Sequence, residues 1–373
     1  MDTRNTQTQE NISTAESSID CGPVAGVFVL FVLFLLFVAT SCGGVFAAAP
    51  PTAETPWHAL HVISYRTDEQ LAKLEKQLPQ LAELGVNCLI LEVNYGFEFQ
   101  SHPELRQGEK QITKAGAGRF VAACRQNGIE LVPQFMCLGH QSWAKNTFPL
   151  LTKYPELDLT PGAFPNNEGI YCREWDAMNP KTNAIVFALI DELAGAFDAK
   201  AFHVGMDEVF LLSSEHAPST RELDPADVFA KVVNDLHAHI VAKRGLTMLM
   251  WADRLIDGDR FEMGAWEASK VGTAPAVDKI PKDIILCPWH YELRDEYESL
   301  PMFMEKGFRI LPASWRKTDA TLALIRYARA NQHDGRLVGH IFTTWSQRRD
   351  DWHEFEPLVQ GLDLLRQPTE LAE

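Results

Sequence analysis

Residues 59–93 read ALHVISYRTDEQLAKLEKQLPQLAELGVNCLILEV, and the pattern inside them decides the fold. The apolar run at 59–64 has the length of a strand. Leu71, Leu74, Leu78 and Leu81 then recur at three- and four-residue steps, the period of a helix with one buried face. A second strand-length run, CLILEV, follows at 88–93. Strand, helix, strand is the unit of a parallel sheet, because parallel neighbours need a crossover between them.

The unit repeats down the chain. Strand-like runs stand at 130–135 (ELVPQF), 201–204 (AFHV), 247–251 (TMLMW), 284–287 (IILC), 308–311 (FRIL) and 337–343 (LVGHIFT). Helix-period segments occupy 183–197, 226–243, 319–331 and 354–365, whereas Gly, Pro and Thr interrupt 264–281 and weaken the helix expected there. Eight strands with helical or irregular returns predict an α/β protein of the (β/α)8 TIM-barrel kind, with one catalytic domain over residues 58–373. A doubly wound open sheet would show the same alternation. The number of repeats and the lack of a glycine-rich phosphate turn favour the barrel.

The chain has 373 residues, 46% hydrophobic and 23% charged, which excludes a disordered or fibrous protein. Its 34 Lys+Arg against 50 Asp+Glu leave a net charge of -16, and no basic cluster offers itself to nucleic acid. A neutral ligand such as a sugar suits this balance. Residues 24–39 read VAGVFVLFVLFLLFVA without a charge, and Val45-Phe46-Ala47 is a small-residue cleavage pattern. We read residues 1–47 as a signal peptide or N-terminal membrane anchor, with anchoring through residues 24–40, and 48–57 as a short linker. Either form predicts export to a periplasmic, secreted or membrane-anchored location. Beyond residue 47 five cysteines remain; Cys88, Cys137 and Cys287 sit inside apolar runs and read as buried thiols.

In a parallel barrel the carboxyl ends of the strands carry the chemistry. The fourth run ends His203-Val204-Gly205-Met206-Asp207-Glu208-Val209. Two consecutive carboxylates there are costly to desolvate, and no Lys or Arg lies within six residues. Side chains of neighbours in a strand point to opposite faces, so both can reach one pocket only if the chain turns. Gly205 permits such a turn. A bare Asp-Glu pair also occurs as a solvated loop or a helix start; the preceding His and Gly favour a functional site. No H-E-x-x-H, Cys/His cluster, Walker loop or G-x-S-x-G elbow is present, so no metal and no cofactor are expected.

The segment His203–Val209 resembles the signature of family 20 glycoside hydrolases, the β-N-acetylhexosaminidases. The similarity extends over about residues 58–350. It takes in Gly85-Val86-Asn87 before Leu89-Ile90-Leu91-Glu92, Leu138-Gly139-His140, Met250-Trp251-Ala252-Asp253, Pro288-Trp289-His290-Tyr291 and Thr344-Trp345-Ser346. It looks closest to the compact hexosaminidase D-like branch. Met206 departs from the pattern, standing where many members carry a second Gly. Gln347 replaces an acidic residue common after the last Trp, and the first strand does not place the Arg that grips the sugar hydroxyls.

The resemblance implies a substrate-assisted mechanism, the family exception to paired-carboxylate hydrolysis. The 2-acetamido oxygen of the sugar attacks the anomeric carbon. Glu208 is then the single acid/base, carrying its proton at the start, and Asp207 accepts the acetamido N–H of the oxazolinium intermediate. His140 and Glu92 are expected to form a relay to Glu208. Trp251, Trp289 and Trp345, each most often plain packing on its own, together predict an apolar box around the acetamido methyl and a platform under the ring. Tyr291, or His290 in its place, is the expected donor to the acetamido oxygen. Asp253 and Glu292 are read as hydroxyl binders or exposed loop acids, and His203 as support for the turn or a structural histidine.

The function expected is thus an exo-acting retaining β-N-acetylhexosaminidase whose partner is a carbohydrate with a terminal β-linked GlcNAc or GalNAc. Two rivals are a retaining barrel glycosidase with a carboxylate nucleophile, pairing Asp207 or Glu208 with a residue such as Glu292, and a non-catalytic carbohydrate-binding barrel.

Overall fold

The computed structural model describes residues 55–345 and 348–368. Trp57–Val62, Cys88–Glu92, Glu130–Cys137, Ala201–Gly205, Thr247–Trp251 and Ile285–Cys287 form six consecutive parallel strands, each bonded to its sequence neighbours. The seventh position holds two short pieces, Arg309–Ile310 and Ala313–Ser314, and the eighth strand is Gly339–Thr343. The first piece pairs with the sixth strand (Ile285↔Arg309) and the second with the eighth (Ala313↔Ile341). The eighth pairs back onto the first from Trp57↔Gly339 to His61↔Thr343, so the sheet closes on itself. Pro312 explains the broken seventh strand: it has no N–H for the ladder, while its carbonyl still accepts from the Ile341 N–H at 2.8 Å.

Two sets of apolar residues line the two faces of this sheet. Inward-facing Cys88, Ile90, Val132, Leu249, Cys287 and Ile341 belong to the interior cluster, and a larger cluster lies between the sheet and its helices. Cys88, Cys124, Cys137, Cys172 and Cys287 are buried free thiols, small enough for the crowded spaces they fill. The described residues lie in a compact unit that begins at Thr55. No helix among them is long and apolar enough to cross a membrane. The proposed leader at 1–47 and the anchor at 24–40 lie outside the described residues.

The strand runs match the expected ones to within about two residues, apart from the broken seventh. The helices differ more. The periodic segment 68–84 forms two helices, Asp68–Glu75 and Leu78–Leu84. Pro79 cannot continue the first ladder, so it sits in the opening turn of the second helix. Pro180–Ala196, Thr318–Ala330 and Glu356–Arg366 occupy the other predicted segments. Pro225–His237 starts on an Asp224 cap that accepts from the Ala226 N–H at 2.8 Å, and it runs on into a wider π turn at Ala238–Lys243. Among the described residues, three helices absent from the sequence reading are Lys114–Gln126, Pro149–Lys153 and Ser299–Glu305. The first buries Gly116, Ala117 and Ala123, which carry little hydrophobic signal, beside Phe120, Val121 and Cys124. Within 264–281 only a short 3-10 turn at Ala274–Asp278 forms among the described residues.

Candidate active site

The fourth strand ends in an unusual backbone. Gly205, Met206 and Glu208 have φ of 69°, 78° and 52°, three left-handed residues around Asp207. This sharp turn brings two adjacent carboxylates to one side, which an extended strand forbids. A Cβ on Gly205 would stand 2.8 Å from the Met136 sulfur, so close approach as well as φ requires glycine there. Met206 pursues the same left-handed geometry with a side chain that is fully buried. Strain of about 1–3 kcal/mol per such residue must be held by its surroundings.

His140 is the group on which both carboxylates converge. Its Nε2 lies 3.2 Å from Asp207 Oδ2 and 3.2 Å from Glu208 Oε2, between the two oxygens and aimed squarely at neither. Gly139, whose absent Cβ would sit 3.1 Å from the Asp207 carbonyl, lets the loop after the third strand come this close. Burial alone would lower the His140 pKa. The charge of Asp207, with Cys172 and the close approach of both carboxylates, instead lifts it well above the usual imidazole range. The three donor atoms lie within 4.8 Å of one another, a spacing that a cation could also use. With its pKa raised, the imidazolium can itself supply positive charge between the two carboxylates.

Asp207 is buried, and among the described residues its Oδ1 has no hydrogen-bond partner. Glu208 is partly open; burial and then the nearby Glu208 charge raise the pKa of the Tyr171 hydroxyl, and the Tyr171 ring packs 5.8 Å from that of His140. The Glu208 backbone N–H donates to Asp253 Oδ2 at 2.9 Å. Asp253 therefore corrects the sequence reading. It is a fully buried brace and neither an exposed acid nor a free hydroxyl binder. It accepts from Arg254 Nε at 2.6 Å and from the Trp289 indole at 3.3 Å. Burial raises its pKa to about 6 despite Arg254, with Asp207 adding to the rise.

Trp251 is fully buried and Trp289 nearly so, while Trp345 is partly open. Trp251 and Trp345 meet at 5.5 Å and 51°, and Trp289 stacks on Tyr291 at 4.8 Å. The Trp345 indole donates to the Tyr291 hydroxyl at 2.6 Å, which also meets Thr343. These four rings come together. His290 does not join them: its ring is buried between Glu267 at 3.0 Å and Ser299 at 2.8 Å. Glu292 is also elsewhere, paired with Lys317 at the surface. Ser346 and Gln347 lie outside the described residues.

Glu92 stands near the group but gives no hydrogen bond to His140 among the described residues. Burial raises its pKa, with Arg66 and His140 opposing and Asp207 adding. His140 lies beside Glu208 at 3.2 Å, and Glu92 is not bonded to His140 among the described residues. His203 accepts the Gly205 N–H on Nδ1 at 3.0 Å, which supports the turn, and its ring packs 4.5 Å from Trp251. Burial holds it well below the usual pKa, hence neutral.

The sequence reading missed Tyr171 and Glu174, both in the long connection after the third strand. The local run Tyr171-Cys172-Arg173-Glu174-Trp175 mixes aromatic and charged residues without a period, and that mixture was the only available signal. Glu174 Oε1 accepts the Phe210 and Leu211 N–H groups at 2.6 and 2.8 Å, tethering the chain just after Glu208. Burial lifts its pKa to about 7 against those two bonds. A folded value above the unfolded one means stability that is full below about pH 4.5 and is lost as pH rises through 7. Glu174→Gln keeps an acceptor for both amides and removes the charge. It should stabilise the protein by about 2–4 kcal/mol above pH 7 and change little at pH 4. Thermal unfolding of both proteins across this range checks it; parallel curves would contradict it.

With this geometry in place, comparison with known proteins is direct. The family model described as glycosyl hydrolase family 20, catalytic domain, matches residues 57–356. The chain is 24% identical over 195 residues to the lacto-N-biosidase of Bifidobacterium bifidum, covering 49% of this chain and 16% of that protein. It is 23% identical over 292 residues to the beta-hexosaminidase of Emericella nidulans, covering 69% and 43%. It therefore spans less than half the length of either relative. The fold is similar to that of the Flavobacterium johnsoniae chitobiase, with a TM-score of 0.60 at 17% identity over 85% of this chain and 49% of that one. The family match runs from the first barrel strand past the eighth and includes the whole His140, Asp207 and Glu208 cluster, so the chain belongs to glycosyl hydrolase family 20.

Proposed function

We propose that this protein removes terminal β-linked N-acetylhexosamine from a carbohydrate, with retention, by substrate-assisted catalysis. The observation that carries the reading is the unpartnered, buried Oδ1 of Asp207. A desolvated carboxylate oxygen without a donor is costly, and an acetamido N–H is a donor of the right kind. In the scheme, the Glu208 carboxyl gives its proton to the glycosidic oxygen while the acetamido oxygen attacks the anomeric carbon. The bond to the leaving group breaks and an oxazolinium forms, its N–H on Asp207. Glu208, now ionised, takes a proton from the water that opens the ring, and the product keeps the β configuration.

The surroundings fit these roles. His140 and the Tyr171 hydroxyl both face Glu208 and favour its anion once the proton has left. Trp251, Trp289 and Trp345 are the proposed walls for the acetamido methyl and sugar ring. Tyr291 is the proposed donor to the acetamido oxygen, because a phenol that accepts an indole N–H still has its own O–H to give. A carboxylate-nucleophile scheme using Glu292 finds no support, since that side chain is held on Lys317.

Chromogenic N-acetylglucosaminide, N-acetylgalactosaminide and the glucoside lacking the acetamido group form the test. Cleavage of the acetamido sugars alone is the expected result, and equal cleavage of the glucoside would refute the proposal. We further propose that residues 1–47 direct export. Deleting them should leave a soluble, active protein, because the barrel begins at Trp57. Aggregation of the truncated protein beside a folded full chain would contradict that boundary.

A further inference from the structure

We propose that His61, His203 and Trp251 form a hydroxyl-binding floor beneath the acetamido pocket, so that the N-acyl group this protein prefers is hydroxylated, an N-glycolyl in place of an N-acetyl. The inference rests on the reading of the site as one that takes an N-acylated sugar. In the barrel interior Ala59, Val132, Ala201 and Leu249 belong to the apolar cluster. Two residues further along the same four strands stand His61, Gln134, His203 and Trp251, which therefore face the same way. All four are fully buried, and they lie toward the carboxyl ends of their strands. Asp207 is near enough for its charge to act on His61. Among the described residues, three polar atoms of this layer have no hydrogen-bond partner: His61 Nδ1, His203 Nε2 and Trp251 Nε1.

The hydrogen bonds that are made fix the character of the atoms left over. Gln134 gives its amide NH2 to the Met136 sulfur at 2.9 Å, which only accepts, so its Oε1 receives the His61 Nε2–H at 2.9 Å. His61 Nδ1 is then a bare acceptor. His203 Nδ1 accepts the Gly205 N–H at 3.0 Å, so its Nε2 carries the proton. Both rings are neutral: burial lowers the pKa of His61 to about 4 and holds that of His203 well below the usual range. The Trp251 indole can only donate. One acceptor and two donors are therefore unmet, and they belong to one group of rings, with Trp251 5.3 Å from His61 and 4.5 Å from His203. A hydroxyl is their complement, having one proton to give and two lone pairs to receive. A methyl meets none of them, and buried polar groups without partners are costly. His61 also meets Trp345 at 4.8 Å, so it stands behind two of the proposed walls of the acyl pocket. The three atoms are closed to bulk solvent, and the group that meets them enters with the acyl chain. A trapped water is the rival occupant.

The test compares kcat/KM on chromogenic β-glucosaminides bearing N-glycolyl, N-propionyl and N-acetyl groups. Glycolyl and propionyl are nearly the same size and differ by a hydroxyl against a methyl. On the unmodified protein the glycolyl substrate should exceed the propionyl by about 10²-fold and the acetyl by about tenfold. The hydroxyl draws electrons from the acyl oxygen and weakens it as a nucleophile, so a higher rate with glycolyl reports binding and not intrinsic reactivity. His61→Gln keeps a donor for Gln134 but no acceptor in place of Nδ1, and the glycolyl-to-propionyl ratio should fall about tenfold. His61→Asn, whose amide oxygen replaces Nδ1, should keep most of the ratio. Equal rates on the glycolyl and propionyl substrates, with the acetyl substrate still cleaved, would mean a trapped water only; that result overturns the floor and leaves the acetamido reading standing. A ratio unchanged in His61→Gln would overturn the floor as well. An unmodified protein that cleaves none of the three would overturn the reading of the site, and the floor with it.

Discussion

Glu208→Gln should lower turnover on a natural disaccharide by about 10²- to 10⁴-fold while a substrate-like inhibitor still binds. Gln has nearly the same shape and carries no acidic proton. The loss therefore falls on the step in which the glycosidic oxygen must be protonated. A nitrophenyl glycoside is the weaker test, since its leaving group departs with little protonation. Retention of more than a tenth of the activity on the disaccharide would show that another group supplies the proton. Asp253 is the nearest competitor by chemistry, but its oxygens are engaged by Glu208, Arg254 and Trp289.

Asp207→Asn should cost about 2–4 kcal/mol in transition-state stabilisation, read as kcat/KM on an N-acetylhexosaminide. Two effects combine in that loss. The neutral amide no longer offsets the oxazolinium charge, and it can turn an NH2 toward an N–H that needs an acceptor. It also removes the charge that raises His140, so the imidazole should titrate nearer its ordinary value, a change visible in its NMR shift with pH. A thiazoline analogue of the cyclised intermediate should lose affinity in parallel with catalysis. Loss of turnover without loss of thiazoline affinity would separate Asp207 from the charge it is assigned to hold.

Much of this architecture was legible in the sequence because period and burial coincide there. Runs such as CLILEV at 88–93 and TMLMW at 247–251 are apolar on both faces, as strands sandwiched between a barrel interior and a helical layer must be. The acidic pair was legible for the opposite reason, being polar where the pattern called for apolar residues. Other features were hidden by their dependence on tertiary contacts. Pro79 and Pro312 divide elements that the apolar period runs straight through. Asp253 looked like a loop acid because its brace, Arg254, turns inward to four backbone carbonyls that no local pattern shows. Tyr171 and Glu174 reach the site from an aperiodic connection, and their role exists only once that loop folds over the fourth strand. His290 and Tyr291 were equivalent in the sequence; which of two neighbours faces the barrel is decided by the pairing of Trp289 with Ala313.

The central claim is that the acetamido group of the substrate is the nucleophile. The inhibition constant of the thiazoline, measured on the unmodified protein beside free N-acetylglucosamine, tests it most directly. The account predicts that the thiazoline binds at least about 10²-fold more tightly, as a mimic of a cyclised, transition-state-like species should. Equal affinity for the two, together with a fluorosugar probe that leaves a covalent sugar on a carboxylate, would contradict it.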